Sequence, residues 1–141
     1  TSVFSAVDLL PTFCEIAGVK LPASYRPDGV SQVETLKGRG RSLREKPLFW
    51  KTLAPWPARK AKPDHWVSYA VVHLNWKLVA SRDLEYVELY DLVMDPLEMN
   101  DLKEKHPGVI KDLKEKLRQW QSSLPARPSG KVFSNLRKAR K

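Results

Sequence analysis

The sequence predicts an α+β domain in which a four-stranded antiparallel sheet is packed by a C-terminal helix. Period-two alternation in "WVSYAVVHLNWKLVAS" predicts two strands joined by a turn near residues 73–75, and "YVELYDL" predicts a third. The short apolar run "PLFW", 47–50, supplies the fourth strand. Pro107 starts a helix, and its apolar stripe covers one face of the sheet: Ile110, Leu113, Leu117, Trp120 and Leu124.

A second helix is predicted close to the start of the sequence, over residues 9–17. Asp8 is suited to its N-cap and Gly18 to its C-terminal end. The helix is apolar on nearly all sides, and only Thr12 and Glu15 are expected to face water. Because such a helix must be covered on most sides, we expect its cover to come from outside this sequence, which we therefore interpret as a fragment of a larger protein.

Composition narrows the classes of function. The chain has 141 residues and a net charge of +9, which suits nucleic acid, an anionic membrane surface or a sulfated glycan. Much of the charge lies in two runs, 58–65 and the acid-free tail 126–141, which also fit ordinary solvated surface. Cys14 is the single cysteine, which excludes an internal disulfide framework and a Cys-ligated zinc cluster. The sequence has neither an apolar run of 18 residues nor a visible signal peptide.

The stretch "ELYDLVMDPLEMNDL", 88–102, concentrates acidic residues in this basic chain and could be a metal site. It lacks the central Gly and the alternating ligand positions of an EF-hand loop. A structural interpretation fits better: Asp95-Pro96 sets a turn, Glu98 and Asn100 satisfy backbone donors, and Leu102 anchors the link against the helix.

Six segments in order resemble the C-terminal part of the type I, formylglycine-dependent sulfatases. They are "VDLLPTFCEIAGV", "PDGVS", "LKG", "PLFW", "YAVVHLNWKLVA" and "ELYDLVMDPLEMNDL". The resemblance covers residues 3 to about 125 and is nearest to bacterial arylsulfatase and N-acetylgalactosamine-6-sulfatase-like enzymes. One departure is the hairpin turn, which reads "HLNW" instead of carrying an Asp-Gly-type turn, and an Arg often found near its start is absent.

The resemblance implies an alkaline-phosphatase-like parent fold with a large α/β domain, against which the sheet and the C-terminal helix pack. On this basis residues 1–46, with helix 9–17, a loop and a short helix, form the end of the main sulfatase domain. Residues 47–125 form the C-terminal subdomain, and 126–141 a basic, flexible tail. The missing N-terminal catalytic domain is then the principal partner, and we expect the isolated chain to self-associate or to have a poorly ordered N-terminal segment.

The family hydrolyses sulfate esters with a formylglycine nucleophile and a calcium ion held by three Asp and one Asn. In the family these groups precede the "VDLLPT" helix, so we expect no catalytic residue and no metal ligand in this chain. Cys14 agrees with this expectation, because Glu-Ile-Ala follows it where the family motif Cys-x-Pro-x-Arg requires Pro and Arg. The parent is expected to use calcium and formylglycine, and this chain alone is expected to be inactive.

The segment 51–66, "KTLAPWPARKAKPDHW", is the best candidate for contact with substrate at the rim of the cleft. Aromatic rings and cations together suit a sulfated sugar, with the sugar ring on Trp and the sulfate on Arg or Lys. A Pro-rich surface loop with solvated charges is the alternative interpretation. The candidate residues are Lys51, Trp56, Arg59, Lys60, Lys62, His65 and Trp66.

Two other classes of function stay open at this point. A basic nucleic-acid-binding module would explain the charge, although no nucleic-acid-binding motif is visible and we expect no such partner. A stand-alone carbohydrate-binding module would explain the five Trp. The sulfatase resemblance instead implies a parent that acts on a sulfated glycan or an aryl sulfate in the periplasm or outside the cell.

Overall fold

The computed structural model describes residues 3–39, 44–52 and 68–124. Within them the chain forms an α+β fold. Along the sequence, an N-terminal helical part comes first, a four-stranded sheet follows, and a C-terminal helix comes last. The elements are a 3₁₀ turn (Ala6–Asp8), α1 (Leu9–Ile16), α2 (Val33–Leu36), β1 (Leu48–Lys51), β2 (Tyr69–His73), β3 (Trp76–Ala80), β4 (Val87–Asp91) and α3 (Pro107–Ser123).

The sheet is antiparallel throughout, in the order β1-β2-β3-β4, as the sequence predicts. Phe49 pairs with Val71, Val71 with Leu78, and Leu78 with Leu89, so these four side chains share one face of the sheet. A two-residue turn joins β2 to β3. Its first residue, Leu74, has a φ of 56°, a left-handed conformation that glycine adopts without strain.

Helix α3 covers that face and closes the hydrophobic core. Leu113 and Leu117 are fully buried among the sheet residues, and Ile110 is partly buried against the same cluster. At the edge of the sheet Trp120 stacks on Phe49, with ring centroids 5.0 Å apart. On the solvent side Asp112 and Lys116 form the expected ion pair at 3.1 Å. Each fully buried leucine contributes about 1.5–3 kcal/mol, so Leu113 and Leu117 together add about 3–6 kcal/mol to the stability of this part.

The acidic stretch 88–102 comprises most of β4 and the structural connection that follows it, which confirms the interpretation made from the sequence. The Asp91 carboxylate accepts N–H bonds from Val93 (2.9 Å) and Met94 (3.2 Å). The Asp95 carboxylate accepts the Asn100 backbone N–H at 2.7 Å. These carboxylates satisfy backbone N–H groups in the two turns that follow β4.

Two details of that expectation are wrong. Glu98 does not accept backbone donors, because its carboxylate binds the Lys77 ammonium at 2.6 Å. Asn100 is a donor in this connection, since its backbone N–H and its side-chain amide both donate to the Asp95 carboxylate. The acceptor that the sequence reasoning missed is Asp101, which receives the Leu89 N–H at 3.1 Å.

Candidate functional site

Helix α1 has the reverse of the usual arrangement, since its polar side is buried and its apolar side faces solvent. Asp8 and Thr12 are both 0% exposed. Phe13 and Ile16 are 60% and 61% exposed. The expectation that Thr12 faces water is therefore wrong, whereas the apolar side is exposed within the described residues.

The exposed apolar residues form one continuous face. Residues i, i+4 and i+7 of a helix lie on the same side, which places Leu9, Phe13 and Ile16 together, with Leu10 beside them. Residues on either side of the helix extend the exposed set, which we call the N-terminal apolar face: Phe4, Val7, Leu9, Leu10, Phe13, Ile16 and Val19. Monomeric proteins seldom expose apolar patches of several hundred Å² unless the patch binds something.

A buried ion pair holds this face in position. Arg44 Nη1 lies 2.7 and 2.8 Å from the two carboxylate oxygens of Asp8, and both side chains are at most 1% exposed. The same carboxylate accepts N–H bonds from Ser5 and Val30, each at 2.9 Å. Asp8 was expected to cap α1, but its carboxylate makes no capping bond to that helix. It instead ties three separate segments of the chain together.

Two further contacts fix the orientation of α1. The Thr12 hydroxyl donates to the Asp8 carbonyl oxygen at 2.6 Å and accepts the Gln32 N–H at 3.0 Å. Gly29 packs against the backbone of Val7, so closely that a Cβ there would lie 1.9 Å from the Val7 carbonyl oxygen. These contacts hold the N-terminal apolar face in one orientation. A surface that is preorganised in this way loses less entropy on association.

Of the predicted rim residues, only Lys51 lies within the described part of the chain. It is exposed at the end of the edge strand β1, with its Nζ 5.9 Å from the centre of the Tyr69 ring. Its neighbour Trp50, which the sequence reasoning did not select, is 44% exposed on the other face of the sheet. The remaining candidates lie outside the described residues: Trp56, Arg59, Lys60, Lys62, His65 and Trp66.

The described residues do not fit the calcium or the formylglycine that the family resemblance implies. Within residues 3–39, 44–52 and 68–124, no three His, Cys, Asp or Glu side chains come together as a metal site. Cys14 is a half-buried free thiol on α1, without a neighbouring Pro and Arg in sequence. No helix in the same ranges is long and apolar enough to cross a membrane.

A family model describes almost the whole chain. The model for the C-terminal part of N-sulphoglucosamine sulphohydrolase matches residues 1–123. The chain belongs to this family. It is thus the C-terminal domain of a sulfatase, and its sheet, α3 and N-terminal helices are those of the corresponding sulfatase region. The sulfatase interpretation is favoured over the nucleic-acid and carbohydrate-binding alternatives.

Several characterised proteins are similar to this sulfatase domain. The N-acetylglucosamine-6-O-sulfatase of Bacteroides thetaiotaomicron is 26% identical over 94% of the chain and 24% of its own length. Arylsulfatase K of Bos taurus is 30% identical over 84% of the chain and 22% of its own length. The structure of BT4656 in complex with its substrate D-glucosamine-2-N,6-O-disulfate is 26% identical, with a TM-score of 0.54 over 82% of this chain and 23% of that one. The chain therefore spans about a quarter of the length of the sulfatases it matches.

Proposed function

We propose that this chain is the domain that braces the catalytic part of a sulfuric ester hydrolase and is inactive without that part. The observation that carries the proposal is the reversed helix α1, whose polar residues Asp8 and Thr12 are buried while Phe13 and Ile16 are about 60% exposed. An ion pair and a hydroxyl buried on one side, with unprotected apolar side chains on the other, fit a helix that is covered by a further domain.

The occupant of the N-terminal apolar face is, in this proposal, the preceding part of the same polypeptide. The relatives are about four times as long as the stretch they share with this chain. The nucleophile, which the family makes as formylglycine, and the calcium ligands belong to that part. When bound there, calcium supplies positive charge for the sulfate oxygens. The residues of this chain bind neither group and act by holding the catalytic part in place.

The contacts of Arg44 bear on the boundary between the main sulfatase domain and the C-terminal subdomain. Arg44 pairs with Asp8 through its side chain, and its carbonyl oxygen accepts the N–H of Leu74 in the β2–β3 turn at 3.1 Å. Arg44 thus joins α1 to the sheet directly before β1 begins at Leu48. We place the end of the main sulfatase domain at residue 46, the C-terminal subdomain at 47–125 and a basic tail at 126–141.

The substrate of the parent enzyme is, in this proposal, a sulfated glycan, and a sulfated amino sugar in particular. Support comes from the two amino-sugar relatives, one named for N-acetylglucosamine 6-sulfate and one solved with a disulfated glucosamine. Segment 51–66 then lies at the rim of the cleft, starting from the exposed Lys51 and following the exposed Trp50. A periplasmic or extracellular location goes with such substrates.

The test compares the 141-residue chain with the polypeptide extended to the length of its relatives. Both are assayed for sulfate release from 4-nitrophenyl sulfate and from D-glucosamine-2-N,6-O-disulfate. The extended polypeptide is expected to release sulfate from one or both, and the 141-residue chain from neither. Hydrolysis by the 141-residue chain alone would refute the bracing role, and an inactive extended polypeptide with an intact fold would refute the enzymatic one.

A further inference from the structure

An apolar groove lies where the chain entering β4 meets the segment that leads into α3. Its volume is about 390 Å³, and Tyr86, Val87 and Ile110 supply its apolar surface. Tyr86 is 68% exposed, and Val87 and Ile110 are only partly buried by the core beneath them. The groove therefore offers an aromatic ring and two aliphatic side chains to a partner outside the hydrophobic core.

The rim of this groove is negatively charged. Glu85, Glu88 and Glu104 line it, and the one cation in the lining, Lys103, is already paired with Asp101 at 3.2 Å. The pKa of the Lys103 ammonium is raised above its ordinary value, chiefly by Asp101 and further by Glu104 and Glu88. Glu104 and Glu88 both line the groove, so the charge of the rim attracts cations.

A ligand for this groove must be basic and must carry apolar side chains. A second copy that used the same groove would bring like charges together, which disfavours a symmetric contact. Residues 83–104 contain eight of the sixteen Asp and Glu of the chain and one Lys. The complementary segment of the same chain is 126–141, which has no acidic residue. Its cations and larger apolar side chains are Arg127, Lys131, Val132, Phe133, Leu136, Arg137, Lys138, Arg140 and Lys141.

The length of chain after α3 selects the part of the segment that reaches the groove. From Ile110 to the end of α3 at Ser123 the axial distance is about 20 Å, at 1.5 Å per residue. The thirteen residues from Leu124 to Arg137 span at most about 45 Å, and a coil of that length has a root-mean-square span of about 20 Å. Arg127 follows Leu124 by three residues and reaches only about 10 Å.

We propose that residues 133–141 of this chain dock into the groove between β4 and α3. Phe133 or Leu136 packs on Tyr86, Val87 and Ile110, and the cations of 137–141 pair with the glutamates of the rim. The span matches the separation of the sites, so the effective concentration of the segment is in the millimolar range. The apolar contact and the exposed ion pairs together therefore need to supply only a millimolar affinity to keep it docked.

The test is an NMR comparison of the full 141-residue chain with two charge variants. In the tail variant, four cations are neutralised: Arg137→Gln, Lys138→Gln, Arg140→Gln and Lys141→Gln. In the groove variant, three glutamates are neutralised: Glu85→Gln, Glu88→Gln and Glu104→Gln. The matched control has the same charge change as the tail variant at sites outside the groove: Lys20→Gln, Arg26→Gln, Lys37→Gln and Arg39→Gln.

The methyl signals of Val87 and Ile110 report whether the groove is occupied. Both variants, and 0.5 M NaCl on the unmodified chain, are expected to shift these signals in the same direction, while the control leaves them in place. At about 1.4- to 5-fold for each exposed pair, the groove variant lowers the docking constant about 3- to 125-fold. Unchanged signals in the tail variant would overturn the proposal. Shifts that grow with protein concentration would also overturn it, because they would place the segment on a second copy.

Discussion

Replacing Phe13 by alanine tests whether Phe13 is covered by a further domain. Phe13 is 60% exposed in the described chain. Full burial of a phenylalanine contributes about 1.5–3 kcal/mol, so the buried two-fifths account for about 0.6–1.2 kcal/mol in the 141-residue chain. When the preceding catalytic part covers the ring, the remaining three-fifths add about 1–2 kcal/mol. Any cavity left behind raises the loss toward the about 3–5 kcal/mol typical of Phe→Ala in cores.

The assay compares how much stability Phe13→Ala removes from the 141-residue chain and from the polypeptide extended to the length of its relatives. Thermal unfolding of each is followed by calorimetry, with sulfate release as a second readout in the extended form. The control is Val109→Ala, because Val109 packs against the core of the sheet and α3 and should cost the same in both forms. An equal loss for Phe13→Ala in the two forms would refute the docking of α1.

Three further predictions concern the frame that holds α1 and the connection that closes the sheet. Arg44→Ala leaves the Asp8 carboxylate buried without its counter-ion and should lower the free energy of unfolding by about 3–5 kcal/mol in urea titrations. Gly29→Ala forces a Cβ into the backbone of Val7, with its nearest atom 1.9 Å away, and should lower the thermal midpoint markedly. Asp101→Asn weakens the bonds from Leu89 and Lys103, and should cost about 1 kcal/mol at pH 7.

Arg44→Ala and Gly29→Ala each have a control and a contradicting result. Removing Asp8 together with Arg44 should cost less than the two single losses combined, and strict additivity would argue against the ion pair. Gly108→Ala in α3 meets nothing within 4 Å and should be neutral or stabilising by about 0.5–1 kcal/mol. A Gly29→Ala variant that behaves like it would contradict the close packing at Val7.

The pH dependence of Asp101 follows from the sign of its shift. Burial acts to raise its pKa, but the N–H groups of Leu89 and Lys103 and the Lys103 ammonium outweigh burial and hold the pKa below 3.8. A carboxyl whose folded pKa is depressed stabilises the fold above its unfolded value and loses this contribution as the pH falls through its folded value. The difference between the unmodified chain and Asp101→Asn should therefore shrink below pH 3.8. A constant difference down to pH 2 would contradict the assignment.

The fold was predictable because periodicity and local breaks both pointed to the same elements. Alternating apolar residues in β2 and β3, and the stripe that includes Leu113 and Leu117 in α3, are signals that local sequence carries. The bounds shifted by one to three residues, as for β2, which starts at Tyr69 and not near residue 66. The helix side of the core could be listed in advance, since residues on one face of a helix are buried together, as Leu113 and Leu117 are.

The candidate site was harder to predict, because its defining contacts are long-range. That Thr12 is buried follows from its bond to Gln32, twenty residues away, and from the pairing of Asp8 with Arg44, thirty-six residues away. Capping preferences describe neighbours within one helical turn, so they assigned Asp8 a local role. One signal in the sequence did point to the site: an apolar helix with too few polar positions for a surface helix.

The burial of polar groups and the exposure of apolar ones in α1 argue for a single physical role. A buried ion pair is weak evidence for stability, because desolvation of Asp8 and Arg44 offsets most of their attraction. What the pair does supply is a defined orientation, since breaking it leaves an uncompensated charge in the interior. The exposed fractions of Leu9, Leu10, Phe13 and Ile16 amount to about two whole side chains. Covering them contributes about 3–6 kcal/mol to association with a further domain, a sizeable share of the 5–15 kcal/mol that stabilises a typical domain. The polar side of α1 thus determines how the helix is held, and its apolar side determines how strongly it binds.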